Sequence, residues 1–594
     1  MYKILAYTKE GKPFYCPLND SMHLAIFQDG AYQPLKNDTG ILFPKASYTE
    51  GNLKGVGKTL LYPWLFQKSD GSYGVCAIRR NENAPDSTNV GCIMMFETKD
   101  FIHYSDPVFF KVSETEVSHP RCIWSEEKKL YRMEWRTQDG IFTAETKYFN
   151  GFHRLHAIEQ FTIESERITL EGALVGNAIE IPDEIANGLI GEFGEIRHVS
   201  TLPIEVEVRA GEVPDPLPKA VCVYSDGSTH EKFVDWDRNS AVLTEKNTYI
   251  VKGKIRQKQY DFPFVEGHIS DPFIAKYDGK YFLSCSGSNQ VSFRIAHSIE
   301  GLKKAEKKVM YTLPSKKLDN MWAQELHFIK GIPYVFTTVG TKDWFTVRCH
   351  VLRCNGDPAN PDDWEAPRLV LKPNGEELNP DGISLDMTYF CVEGVHYVMW
   401  SNRVVHDLKR WEKEPYCEPA DVYIATVDPD APWQLTTNPV RIVRPMYGWD
   451  RLQTEVDEGP FCLKHGDDLF VTVSGSSTAQ PELYCLGLLH AKQDANLLSP
   501  DAWEWLGYPV LTKESVKGQY GPGHNNFIKE PETNDDLMVY HAVPKGENGK
   551  YLGRRMAIRR IHWKANGYPY FEMTPERDVD PNLEEVTMKI KIKL

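Results

Sequence analysis

Three acidic residues stand at comparable places in this 594-residue chain. Asp271 lies in GHISDPFIAKYDGKYF, Asp386 in DGISLDMTYFCVEGVHYVMW and Glu458 in EVDEGPFCLKHGDDLF. Each precedes a turn by eight or nine residues and is set among apolar neighbours. One acid at a strand start is ordinarily a cap or turn former. Three in the same phase of three repeats point instead to convergence on one place. Carboxyls gathered this way can hydrolyse a glycosidic bond. An ionised one activates water, and a protonated one gives its proton to the departing oxygen. Their surroundings must then hold their pKa values apart.

The elements that position them follow from a recurring pattern, a turn leading into an aromatic-rich strand. It appears as KYDGKYFLSCSG near Gly279, FIKGIPYVFTT near Gly331 and CVEGVHYVMWS near Gly394, then as LKHGDDLFVTVSG near Gly466 and ETNDDLMVYHA near Asp535. Spacings of about 50–70 residues, with several strands per unit, are those of propeller blades. Five copies between 260 and 594 predict a five-bladed β-propeller, favoured by its regular spacing over a large sandwich of hairpins. The start of each inner strand would face the central cavity, so acids from different blades can meet there. Long amphipathic helical patterns are scarce, and the chain is expected to be all-β. Residues 1–155 carry weaker copies, KSDGSYGVCAIRR and SEEKKLYRMEWRT, and are read as a β-rich, partly propeller-like region. Residues 156–258 are read as linker strands and a β-sandwich, and 259–594 as the propeller.

A net charge of -15 argues against nucleic acid or an anionic membrane as partner, since both need a basic surface. No run approaches the ~20 apolar residues of a membrane span, and MYKILAYTKEGKPFYC lacks a leader's apolar core. A cytoplasmic address is therefore expected. Twelve cysteines form no CxxC pair. Those in apolar runs, such as Cys285, Cys391, Cys462 and Cys485, are read as reduced core residues.

Over about 265–575 the chain resembles family 43 glycoside hydrolases, which carry D-P-F, I-D-G-T or I-D-P, and E-G-P motifs. The matches are Asp271-Pro272-Phe273, Leu385-Asp386-Met387-Thr388 and Glu458-Gly459-Pro460. The resemblance implies an inverting enzyme with Asp271 as base, Asp386 as pKa modulator and Glu458 as acid. MWAQELHFIKGIPYVF is similar to the family's W-A-P-E-x-H strand, with Gln324 in place of proline. YGPGHNNFIKEPETNDDLMVYHA resembles the G-P-G-H-N-S-F segment of exo-acting α-L-arabinofuranosidases. That similarity implies release of terminal arabinofuranosyl units from arabino-oligosaccharides, with no cofactor required and an ion, calcium or another, near His524. Trp322 and Trp449, beside matched motifs, are candidates to stack on a sugar face. Glu325 would bond a sugar hydroxyl or pair with an arginine. A β-xylosidase or endo-arabinanase of the same family, acting on xylose- or arabinose-containing oligosaccharides, and a non-catalytic sugar-binding propeller are the alternatives. Residues ~195–255, with Tyr224–Gly227, Val234–Trp236 and Thr248–Gly253, resemble bacterial immunoglobulin-like domains.

Overall fold

The computed structural model describes residues 2–9, 18–49, 52–81, 84–149, 160–237, 248–406 and 416–593. The chain is all-β, and its C-terminal half holds a five-bladed propeller. Blade 1 is built from Phe273–Tyr277, Lys280–Ser284, Gln290–Ala296 and Lys307–Thr312; blade 2 from Glu325–Ile329, Ile332–Val339, Arg348–Arg353 and Arg368–Leu369. Blade 3 begins with Gly382–Val392 and Val395–His406, blade 4 with Asp457–His465 and Asp468–Gly475, and blade 5 with Tyr520–Lys529 and Asp536–Val543.

Each blade opens with a hairpin at the repeated turn. Asp278 and Gly279 have φ of 45° and 70°, Lys330 and Gly331 51° and 80°, Glu393 and Gly394 50° and 77°. Two consecutive positive φ values make a type I′ turn, whose twist matches that of its strands. Blade 4 turns at Gly466. In blade 5 a longer turn is held by the Glu530 carboxylate, which accepts the N–H groups of Glu532 and Thr533.

Five apolar cores close the ring, one at each blade junction. Phe293 meets Val335, Phe336 meets Trp400, Met399 meets Val471, Phe470 meets Tyr540, and Leu283 meets Val539 in turn. The last joins blade 1 to blade 5, so no blade face is left open. The chain entering blade 1 seals this seam, where the N–H groups of Phe264 and Ile269 donate to the carbonyls of Met556 and Arg554.

Two units differ from the expected boundaries. Glu585–Lys593, expected in the propeller, lies parallel to Ile204–Arg209 and antiparallel to Thr248–Ile255. The alternation in EVTMKIKIK buries Val586, Met588, Ile590 and Ile592, and a sheet face must cover that stripe. The cover is a second sheet of His198–Thr201, Ala220–Tyr224 and Thr229–Lys232, which supplies Cys222 and Tyr224 to a shared core. Likewise Ala173–Ile181, expected among the linker strands, pairs with Tyr2–Lys9, and the helix Asp183–Phe193 buries Ala186, Leu189 and Phe193 in the same core as Ile4 and Leu24. Lys58–Gln67 and Ser118–Ser125 open two further N-terminal sheets. The N-terminal region docks on the propeller, because Tyr447, Trp449, Cys485 and Tyr508 belong to its core. Ala46 N–H donates to Met446 O at 2.6 Å across this junction. The described cysteines are free thiols. No helix among the described residues is long and apolar enough to cross a membrane.

Candidate active site

A left-handed residue stands at or just before the start of each blade's sheet-forming inner segment: Asp271 (φ 53°), Ala323 (44°), Asp386 (55°), Gly459 (56°) and His524 (45°). Residues with a Cβ seldom adopt this conformation, and its recurrence at a cavity marks a functional constraint. In three inner strands the ladder shifts register here, between Leu385 and Thr388, Glu458 and Phe461, and Gly523 and Asn526. Such bulges re-aim side chains. One ionisable side chain per blade results: Asp271, Glu325, Asp386, Glu458 and His524. Gly459 has two reasons to be glycine, its φ and the close approach of His524, whose Nδ1 would lie 3.0 Å from an added Cβ.

Asp271 is anchored on all sides. Its Oδ2 accepts from Ser286 Oγ, and Arg554 Nη1 lies 3.2 Å from Oδ1. His524 Nδ1 is 3.4 Å and His541 Nδ1 3.5 Å from the same oxygen. Burial alone would raise its pKa, but the charges of His524 and Arg554 outweigh it and hold the carboxyl well below the ordinary range. Glu458 goes the other way. Burial raises it, while His524 and a 3.0 Å hydrogen bond from Tyr484 oppose the shift and Asp271 adds repulsion. Asp386 accepts the Gly459 N–H at 3.2 Å. Burial, reinforced by repulsion from Glu458, Asp271 and Glu325, pushes it up to about 8 against the pull of His524. His524 is itself raised, since Asp271, Asp386, Glu458 and Glu325 overcome the burial that favours the neutral ring. It is the cation that balances the acids.

Beneath this ring lies an aromatic layer, two or three residues further along each strand: Phe273, His327, Tyr389, Phe461 and Phe527. Ring centres of Phe273 and His327 are 5.2 Å apart, those of Phe461 and Phe527 5.8 Å. The layer gives the charged ring an apolar floor, which strengthens every charge interaction above it.

The structure brings Asp271, Asp386 and Glu458 together and sets Glu325 and His524 in the same ring. Glu325, however, pairs with a histidine and not with an arginine; its Oε2 is 2.6 Å from His327 Nε2. Trp322 is half-buried, against the cluster of Val347 and Leu385. Trp449 does not stack on a ligand. It is 0% exposed, its Nε1–H donates to Gly507 O at 3.1 Å, and its ring fills the space over Gly475 and Gly487. Among the described residues, no group of three His, Cys, Asp or Glu side chains has metal-holding geometry. A metal would need neutral His524, whereas the acidic residues around it favour the protonated ring.

Four partners escaped the sequence reading. Arg554 and Tyr484 come from loops, Ser286 from the first blade's loop, and His541 from the end of a second strand. Burial lowers the His541 pKa to about 4, and its neutral Nδ1 accepts the Asp271 N–H at 3.3 Å. Only His541 carried a signal, as the polar residue closing the apolar run LMVYHA. Gln324, where the related motif has proline, is accounted for: its Nε2 donates to the carbonyls of Gln290 (2.7 Å) and Met321 (3.0 Å), tying two loops together.

A depressed carboxyl and a raised one, both partly open to solvent, are what concerted acid–base cleavage asks for. A profile of glycosyl hydrolases family 43 matches residues 260–569. A Streptomyces avermitilis protein named extracellular exo-α-(1→5)-L-arabinofuranosidase is 31% identical over 329 residues, covering 52% of this chain and 63% of its own length. Alpha-L-arabinofuranosidase 43 of Humicola insolens is 30% identical over 313 residues, covering 51% and 61%. The chain thus spans less than two thirds of these relatives. The crystal structure of an α-L-arabinofuranosidase from Lactobacillus brevis shares 28% identity, with a TM-score of 0.45, covering 51% of this chain and 93% of that one.

Proposed function

The chain belongs to the glycosyl hydrolases of family 43, and we propose that it is an inverting, exo-acting hydrolase releasing terminal α-L-arabinofuranosyl units from arabino-oligosaccharides. The observation that carries this reading is the opposite displacement of Asp271 and Glu458 within one ring. The choice of sugar is supported by the names of the relatives.

Asp271 stays ionised and is fixed by Ser286 and Arg554. It takes a proton from water as the water oxygen bonds to the anomeric carbon. The bond from that carbon to the leaving oxygen breaks, and Glu458 gives this oxygen its proton. Asp386 adjoins Glu458 through the Gly459 N–H, and repulsion from ionised Asp271 favours the protonated acid. Tyr484 fixes the acid's orientation through its hydrogen bond.

The test compares 4-nitrophenyl α-L-arabinofuranoside with the β-D-xylopyranoside. The first should be cleaved faster. Asp271→Ala and Glu458→Ala should each lower kcat by roughly 10²–10⁴-fold. For Glu458→Ala the loss should shrink with a leaving group that needs no proton. Near-normal arabinofuranoside hydrolysis by Asp271→Ala, or preference for the xyloside, would contradict the reading.

A further inference from the structure

A cavity of about 470 Å³ lies between the N-terminal region and the rim of the propeller, where Lys9, His23 and Asp38 face Glu482, Tyr484 and Lys513. We propose that this cavity binds the leaving-group side of a saccharide substrate, the sugar units beyond the bond being cut; the inference rests on the glycosidase reading above.

Position is the first argument. Tyr484 belongs to the cavity wall, and its hydroxyl donates to Glu458 Oε1 at 3.0 Å. Glu458 protonates the leaving oxygen, so the departing chain must lie on the side of Glu458. A single tyrosine thus separates the proton donor from the cavity. Glu482, two residues earlier, forms the lip. It is tied to Lys513 at 3.0 Å, to Lys545 at 3.2 Å and to the hydroxyl of Tyr551, so this edge of the cavity is fixed.

Chemistry is the second argument. The N-terminal wall presents polar groups that are themselves held in place. Asp38 accepts from the Tyr7 hydroxyl at 2.6 Å and pairs with Lys9 at 2.7 Å. His23 is 1% exposed; its Nε2 lies 3.0 Å from the carbonyl of Leu18. Its Nδ1 has no hydrogen-bond partner among the described residues, and Asp38 Oδ1, at 3.7 Å, is too distant to be one. A buried polar atom without a partner is costly and uncommon, and His23 is part of the cavity lining. Donors and acceptors of both signs alternate here: Lys9 and Asp38 on one wall, Lys513 and Glu482 on the other. Such a lining suits the hydroxyls of a neutral saccharide, which both give and accept hydrogen bonds, better than it suits an anion or a cation. A few fixed polar groups in a concave site are what set ligand orientation. The N-terminal strands, which lie outside the hydrolase match, thereby acquire a role in selecting longer substrates.

The test is a ratio. kcat/KM is measured for a linear arabinotetraose and for 4-nitrophenyl α-L-arabinofuranoside, with wild type, Lys9→Ala, Asp38→Asn and Asp38→Ala. The tetraose-to-aryl ratio should fall about ten-fold in Lys9→Ala and Asp38→Ala, through KM on the tetraose, and less in Asp38→Asn. Lys9 is partly exposed, so its variant keeps the test open if Asp38→Ala fails to fold. An unchanged ratio in Lys9→Ala overturns the inference while leaving the hydrolase reading intact. Failure of wild type to cleave either compound overturns both.

Discussion

Replacing His524 with asparagine removes a positive charge from the centre of the acidic ring and keeps a side chain that tolerates the left-handed backbone there (φ 45°). His524 Nδ1 lies 3.4 Å from Asp271 Oδ1 and 3.8 Å from Asp386 Oδ2, and both His524 and Asp271 have side chains about nine-tenths buried. At that separation a charge pair contributes about 1 kcal/mol in water and about 5 kcal/mol at an effective dielectric near 20. One pKa unit is about 1.4 kcal/mol, so Asp271 should rise by about one to four units. Asp271 must be ionised to act, and it is lost as pH falls through its depressed pKa; raising that pKa moves the acid limb of kcat/KM upward. Glu458 must be protonated, and it is lost as pH rises. His524 pulls its pKa down, so removing the cation moves the alkaline limb upward as well. The whole bell should therefore shift to higher pH in His524→Asn, read from kcat/KM on an aryl arabinofuranoside, with a melting curve to confirm folding. A bell that keeps its position, or whose limbs move apart, would refute the electrostatic reasoning.

Tyr484→Phe removes a hydrogen bond that favours ionised Glu458. The alkaline limb alone should rise by about one unit, since such bonds contribute about 1.5–3 kcal/mol; movement of the acid limb instead would contradict the pairing. Trp449→Ala should cost about 3–5 kcal/mol in urea unfolding, as a large buried ring is lost. A raised KM with unchanged stability would show that the ring meets substrate after all. Asp578 joins the small sandwich to the propeller through Lys232 at 2.7 Å and Arg560 at 2.5 Å. Asp578→Ala leaves both cations buried without it and should cost about 3–5 kcal/mol. Burial would raise the Asp578 pKa, but Arg560 and Lys232 hold it far below the ordinary value. Its contribution is present above the ordinary carboxylate pKa and fades as pH falls toward the depressed one. The cost of the mutation should shrink in acid, and an unfolding midpoint equal to wild type at neutral pH would sink this account.

What the sequence made legible was local. Asp278-Gly279, Lys330-Gly331 and Glu393-Gly394 announce hairpins because consecutive positive φ values suit few residues, and their spacing counts the blades. Asp271, Asp386 and Glu458 were legible because each stands at a fixed distance before its turn. Glu325 and His327 could have been paired by the same logic, since alternate residues of a strand share a face. Non-local facts were hidden. The pairing of Glu585–Lys593 with Ile204–Arg209 joins segments some 380 positions apart, and nothing near either marks the other. Trp449 illustrates a different limit. Its neighbourhood in the chain suggested the sugar pocket, but exposure depends on what packs over a residue, and here Gly475 and Gly487 make room for the ring inside the core. Arg554 and Tyr484 reach the acids from loops that carry no repeat.

The central claim is that Asp271 activates water while Glu458 protonates the leaving oxygen in one displacement. Proton NMR of the first-formed sugar, recorded before mutarotation, tests it most directly. Hydrolysis of an α-L-arabinofuranoside should release the β anomer first. Initial release of the α anomer would mean that a covalent intermediate intervenes and that Asp271 does not act on water in the way described.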